Sequence, residues 1–478
     1  MRSQMRRTGA TVVACVLATS VYAIQETRPA PRNARPAIDG VFAAFTAASP
    51  GCAVGLYQDG SIAYARGYGM ASLEHDAPIT PKTVFYVGSI SKQFTAMAAA
   101  LAMQQGKLAY EDPIRKYLPE LPVYADTIKI SHLLHHTSGL RDYNTLLAIA
   151  GRRDEDAWNN TIVLKMTARQ KALNFEPGAE YLYSNTGYTL LATIVERATD
   201  TPFAEFADAN IFRPLGMAST HYHVDAKRLV KDRALGYGGR DGRWTLDTPI
   251  NERAGAGGVY TTVEDLQKWD ENFYTGRVGG AEVLKRLQTR GALNGGTTLS
   301  YAWGLEIGEY RGLPIVEHSG ALGGYRADII RFPGQHTSIA VLCNLASAVP
   351  SALARRVADT TLASRFTAPT APVVGGVIGG VPGHLPDPLP PDRLREYAGR
   401  YYSDELETTF EIAVKPAPSD LALQRERDTA PLILVPRDAP DTYAAGSLFL
   451  RFQRDANRAV TGFTVDSGRV RGIVFERR

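Results

Sequence analysis

The chain has 478 residues, of which 44% are hydrophobic and 21% charged. That composition supplies a sizeable buried core and excludes disorder along the whole length. A net charge of +4 with no clustered Lys/Arg argues against nucleic acid as a partner, and three cysteines are too few for a disulfide framework or a Cys-rich metal site.

The N-terminus reads as an export signal. Arg2, Arg6 and Arg7 precede an apolar run from Thr8 to Ala23, and Val21-Tyr22-Ala23 offers small residues at a cleavage site. Residues 1–23 are therefore expected to be a signal peptide of a secreted or periplasmic protein, with retention as an N-terminal membrane anchor as the alternative. Lipid attachment at Cys15 fits less well, because the apolar run continues past it. No later stretch approaches the roughly 18 apolar residues of a spanning helix. Residues 24–37, rich in Pro, Arg and Asn without periodicity, read as a tether.

Cys52 and Cys343 each sit in an apolar, strand-like run and read as two small buried residues; export permits a disulfide without bringing them together. Val54–Tyr57, Asp59-Gly60 and Ile62–Tyr64 predict a hairpin. Near Ser89 a helix begins that is apolar almost all round, so it should be buried, with Gly106 as its stop. Its start carries Ser89-Ile90-Ser91-Lys92. The i, i+3 spacing puts the Ser89 hydroxyl beside the Lys92 amine. A serine needs a base to act as nucleophile, and burial can lower a lysine's pKa enough to make it one.

Two further segments carry chemistry. Tyr183-Ser184-Asn185 leads into a helix expected over Tyr188–Ala198; a tyrosine phenol can relay a proton if a nearby ammonium favours the phenolate. His318-Ser319-Gly320-Ala321-Leu322-Gly323-Gly324 is a strand whose glycines permit close backbone approach and N–H donation to an oxyanion. The stretch 367–391 holds seven prolines and five glycines and reads as a linker. Beyond it, six short alternating runs between Thr408 and Phe475 predict an antiparallel β module over 393–478 with a structural or substrate-shaping role.

These motifs, in this order, resemble the serine β-lactamase and penicillin-binding-protein superfamily, in particular its class C β-lactamase-like branch of D-aminopeptidases, DD-carboxypeptidases and esterases. Leu133–Leu140 (Leu-Leu-His-His-Thr-Ser-Gly-Leu), Phe212–Met217 and Gly257–Leu266 add to the resemblance, which covers 38–366. It implies an α+β fold, an antiparallel sheet flanked by helices with a helical subdomain beside it, and a lipocalin-like barrel over 393–478. It makes Ser89 the acylated nucleophile, Lys92 its base and Tyr183 the proton relay. Asn185 would position Lys92 and the substrate, and His318, Gly320 and Ala321 would line the substrate strand, with the N–H groups of Ser89 and Ala321 as oxyanion hole. His318 stands where β-lactamases usually carry a lysine, and a mostly neutral histidine points away from a strongly anionic substrate. The expected activity is hydrolysis of an ester, a D-amino-acid-type peptide or amide, or a β-lactam, with no metal or cofactor and a small molecule or peptide as partner.

Other readings remain at this stage. His132, His135, His136, His221 and His223 could be zinc ligands, but no H-E-x-x-H glutamate accompanies them. No G-x-S-x-G elbow occurs. A superfamily member that binds penicillin or peptidoglycan without turnover, or one whose C-terminal module docks a partner, would carry the same motifs.

Overall fold

The computed structural model describes residues 34–152, 156, 158–240, 242–369, 390–415 and 420–478. The expected signal, most of the tether and most of the Pro/Gly linker lie outside them. Residues 34–37, read as tether, instead open helix α1 (Ala34–Val41), because Ile38 and Val41 have a sheet face to cover and Pro36 falls in the first turn.

The predicted hairpin is present as β1 (Cys52–Gln58) and β2 (Ser61–Tyr68). Asp59 and Gly60 both take positive φ, 49° and 75°, the twist that a two-residue turn requires. Five helices follow that matter for the site: α2 (Ser91–Gln104), α3 (Tyr143–Ile149), α4 (Asn160–Arg169), α5 (Asn185–Thr199) and α6 (Val263–Thr275). Then come β3 (Glu306–Tyr310), β4 (Leu313–Leu322), β5 (Tyr325–Phe332), β6 (Thr337–Cys343) and α7 (Pro350–Thr361). The sheet runs β3-β4-β5-β6-β1-β2, antiparallel throughout, so the early hairpin completes a sheet begun almost 250 residues later.

Both sheet faces are covered, and side chains sort by the two-residue period of a strand. Val54 and Leu56 of β1, with Ile339 and Val341 of β6, pack against α1 and α7. The alternate residues Ala53, Tyr57, Ala340 and Leu342 join the larger core that holds α2, α5 and α6. Burial on both faces is why these strands read as unbroken apolar runs. Helix α2 is buried from Ser91 to Ala102, as its missing polar face predicts, and Gly106 beyond it takes φ 69°.

Cys52 and Cys343 are direct register partners and are joined by a disulfide, which replaces the reading of two separate buried residues. Nothing local in the sequence reveals partners 291 residues apart. Loop-closure entropy over so long a separation stabilises the fold by about 3–5 kcal/mol. Cys52→Ala/Cys343→Ala is accordingly expected to lower the midpoint of denaturant unfolding, and dithiothreitol should lower the wild-type midpoint without moving that of the variant.

The C-terminal module is a closed eight-stranded antiparallel barrel: β7 (Gly399–Ser403), β8 (Thr408–Val414), β9 (Leu421–Arg425), β10 (Leu432–Pro436), β11 (Thr442–Ala445), β12 (Leu448–Arg454), β13 (Val460–Ser467) and β14 (Val470–Arg477). Six of these strands follow from sequence alternation. β7, which starts at a glycine, and the four-residue β11 do not alternate and were missed; β7 closes the barrel by pairing with β14. The interior is filled by packed rings, with Phe410 and Phe475 4.2 Å apart and Phe463 and Phe475 5.0 Å apart.

The barrel shares one apolar cluster with α3 and α4, through Leu146, Leu147, Val163 and Met166. A buried ion pair crosses the same boundary. Arg141 meets Glu405 at 2.5 Å, with side chains only 3% and 2% exposed.

Candidate active site

Ser89 lies in a short 3-10 turn, Gly88–Ile90, that runs directly into α2. Lys92, one turn on, is fully buried. Its Nζ lies 3.0 Å from Ser89 Oγ, 2.9 Å from Asn185 Oδ1 and 2.8 Å from the Ala256 carbonyl oxygen. Asn185 Nδ2 donates to Asp142 Oδ2 at 2.9 Å, which fixes the amide so that Oδ1 faces the lysine. The two oxygens contributed by Asn185 and Ala256 can only accept. A neutral Lys92 therefore spends its two N–H groups on them and leaves its lone pair on the Ser89 hydroxyl, the arrangement of a base poised on a nucleophile. Burial pushes the Lys92 pKa well below its ordinary value; the nearby Asp142 carboxylate opposes this and Arg469 adds to it.

Tyr183 closes the other side. Lys92 Nζ sits 4.7 Å from its ring centroid, and the ring packs against His136 with centroids 4.2 Å apart and planes tilted by 37°. Burial pushes the phenol's pKa upward, more than the hydrogen bond with Ser89 and the charge of Arg469 lower it. Burial thus favours the neutral phenol over the phenolate that a nearby ammonium could favour. His136 Nδ1 accepts the Ser184 N–H at 3.1 Å and so supports the Tyr183-Ser184-Asn185 segment. Helix α5 starts at Asn185, three residues before the expected Tyr188, because Ser184 caps it by accepting the Gly187 N–H.

His318 on β4 is buried. Its Nδ1 lies 2.6 Å from the Ser319 carbonyl, which can only accept, so Nδ1 carries the proton and Nε2 accepts the Tyr301 hydroxyl at 3.0 Å. Burial, then the charge of Lys92, pushes its pKa down to about 3. The position therefore holds no cation at neutral pH.

Strand β4 runs hard against the Ser89 turn. A Cβ on Gly320 would lie 2.0 Å from the Val87 carbonyl oxygen, and one on Gly88, at φ 53°, would lie 2.5 Å from the Ala321 nitrogen. The two glycines bring the Ala321 and Ser89 amides to one place, as an oxyanion hole requires. Gly320→Ala is expected to push strand and turn apart and lower turnover by about 10²-fold, the cost of losing an oxyanion donor, measurable as kcat on an ester substrate.

All seven residues expected from sequence line or contact one groove of about 620 Å³. Sequence reasoning missed the Ala256 carbonyl and Arg469, which line the groove, and Asp142 and Tyr301, which hold Asn185 and His318 from behind. Asp142 had a local signal only as the cap of α3, where its Oδ1 accepts the Thr145 N–H. Of the five zinc candidates, His132 accepts the Lys129 N–H, His135 pairs with Tyr110 and His136 accepts the Ser184 N–H, while His221 and His223 lie together with ring centroids 5.6 Å apart. Among the described residues no group of three or more His, Cys, Asp or Glu side chains is arranged to hold a metal ion.

This fold and groove define a β-lactamase/transpeptidase-like protein. The Beta-lactamase family description matches residues 38–362, and the chain belongs to that family. It is 32% identical over 304 residues to penicillin-binding protein 4* of Bacillus subtilis, an alignment covering 60% of this chain and 66% of the relative. It is 28% identical over 308 residues to the D-aminopeptidase of Gluconobacter oxydans, covering 64% and 58%. The alignments thus span about three fifths to two thirds of those relatives' lengths. In solved structures, the octameric penicillin-binding protein homologue of Pyrococcus abyssi matches with a TM-score of 0.60 at 23% identity, covering 93% of this chain and 99% of that one. That likeness extends the shared fold over the barrel. Among the described residues no helix is long and apolar enough to cross a membrane.

Proposed function

We propose that this chain is an exported serine hydrolase that cleaves an amide, peptide or ester bond through an acyl-enzyme on Ser89, with D-amino-acid-containing peptides or amides as its substrate class. The observation that carries this reading is the buried Lys92 Nζ 3.0 Å from Ser89 Oγ, with two acceptor-only oxygens, Asn185 Oδ1 and the Ala256 carbonyl, at 2.9 and 2.8 Å. Lys92 takes the Ser89 proton as Oγ bonds to the substrate carbonyl carbon. The carbonyl oxygen becomes an oxyanion held by the Ser89 and Ala321 amides. As the C–N or C–O bond breaks, Tyr183 gives its proton to the leaving group and recovers one from the Lys92 ammonium. Water then attacks the ester by the same steps in reverse.

Similarity to a D-aminopeptidase supports the substrate class. The neutral His318 weighs against an efficient β-lactamase. Export rests on the N-terminal sequence, and the disulfide accords with an oxidising compartment.

The test is a mass spectrum of the chain lacking residues 1–23, mixed with a fluorophosphonate and separately with benzylpenicillin, with Ser89→Ala alongside. A fluorophosphonate adduct absent from the variant is expected, with penicillin recovered intact or slowly opened. Equal labelling of both proteins would overturn the assignment of Ser89. A long-lived penicillin adduct without turnover of D-amino-acid amides would favour a penicillin-binding protein instead.

A further inference from the structure

The groove has a wall that the catalytic domain does not supply. Arg469, in the turn between β13 and β14 of the barrel, lines the groove together with Ser89, Tyr183 and Asn185. Its guanidinium carbon stands 4.8 Å from the Tyr183 ring centroid, and Lys92 Nζ stands 4.7 Å from the same centroid.

The turn is held there by specific bonds. Asn174 Nδ2 donates to the Arg469 carbonyl and Asn174 Oδ1 accepts the Arg471 N–H, both at 2.9 Å, so one side chain pairs with the hairpin as a strand would. Arg141 donates to the Gly472 carbonyl at 3.1 Å, and Arg471 forms a two-pronged pair with Glu180 at 3.2 and 3.0 Å.

The Arg469 side chain itself is loosely held. It is 43% exposed, and its nearest carboxylate, Asp142, lies 3.8 Å away and already accepts both the backbone and side-chain N–H groups of Asn185. Among the described residues the guanidinium makes no hydrogen bond. The groove's other two arginines are pinned: Arg253 donates to Asn251 and Asn144, and Arg326 to the Gly323 and Tyr325 carbonyls. The barrel interior is packed with rings, so the barrel meets a substrate through its rim.

We infer that Arg469 is a specificity-determining residue: the barrel hairpin delivers it to the groove to bind a carboxylate on the substrate, at the end of the molecule that leaves on acylation. A guanidinium with free donors, half in water and beside the nucleophile, matches a carboxylate in charge and in its two-pronged geometry. His318 supplies no such charge. The inference rests on the serine-hydrolase reading above.

The test uses the full chain and two thioesters of benzoylglycine, one with mercaptoacetate and one with mercaptoacetamide as the thiol. Both give the same acyl-enzyme, so any difference arises before or during acylation. Wild type is expected to show a KM about tenfold lower for the carboxylate thioester, the size of one charged hydrogen-bonded contact. Arg469→Gln should raise that KM about tenfold, with a much smaller change in kcat, and bring the ratio of the two substrates near one. Arg469→Lys should restore most of the preference. Asn174→Ala, which frees the hairpin, should move the ratio in the same direction as Arg469→Gln. With rates taken on the plateau above the Lys92 limb, an equal loss on both thioesters, or no preference in wild type, would overturn the proposal. Absence of any Ser89-dependent turnover of either thioester would overturn the serine-hydrolase reading and this inference with it.

Discussion

Lys92→Ala should lower the acylation rate by about 10²–10⁴-fold, the usual contribution of a general base, and Ser89→Ala should abolish turnover. Lys92→Arg should be no better than alanine, because a guanidinium does not surrender its proton. The wild-type rate should rise with pH along a limb well below 10.5, since activity needs the neutral amine and burial favours it. Asp142 holds the lysine's pKa up, so Asp142→Asn should shift that limb to lower pH; Arg469→Gln, by removing a cation, should shift it higher. The same ionisation has a stability consequence of definite sign. Between the lowered folded value and 10.5, the unfolded chain binds a proton at Lys92 that the folded chain does not. Folding is therefore penalised at low pH and the penalty is relieved as pH rises through that window. Lys92→Met should remove this slope from a plot of unfolding free energy against pH. A variant that kept the wild-type pH–rate limb after loss of Lys92 would show that another group is the base.

The second large effect is expected at Arg141 and Glu405. The pair joins the catalytic domain to the barrel, and further bonds depend on it: Glu405 Oε2 also accepts the Lys171 N–H at 2.8 Å, and Gln170 Oε1 accepts from Arg141 at 3.1 Å. Removing one partner leaves a buried charge without compensation, a loss of about 3–5 kcal/mol. Glu405→Ala and Arg141→Ala should each lower the denaturation midpoint, while Arg141→Met/Glu405→Leu should recover much of the loss, because an apolar pair carries no desolvation penalty. Additive losses in the double variant would mean that the two residues act independently.

Much of the catalytic domain was legible because its signals are local. A helix without a polar face, a Ser89-x-x-Lys92 spacing on one side of it and a Tyr183-x-Asn185 turn can be read from a few consecutive residues, as can the Asp59-Gly60 hairpin. What stayed hidden depends on contacts between distant segments. Asp142 looks like an ordinary helix cap, and only the fold brings Asn185 against its second oxygen. Arg469 follows Ser467-Gly468 in a turn like many others, and only the docking of the barrel on α3 and α4 carries it to Tyr183. Tyr183 itself was recognised, but which protonation state its surroundings favour was not legible, since burial pushes the phenol's pKa upward and no sequence reports how deeply a side chain is buried.

The bond between Cys52 and Cys343 also acts as a record of how the chain folded. The two sulfurs meet only when β1 and β6 pair in one register. A slip of a single residue would turn one cysteine to the opposite face of the sheet and leave both thiols free. In an oxidising compartment, covalent closure thus selects chains in which strands from opposite ends of the catalytic domain have found each other correctly. Chains that have not done so keep two free thiols, a chemical difference by which misassembled copies can be told apart.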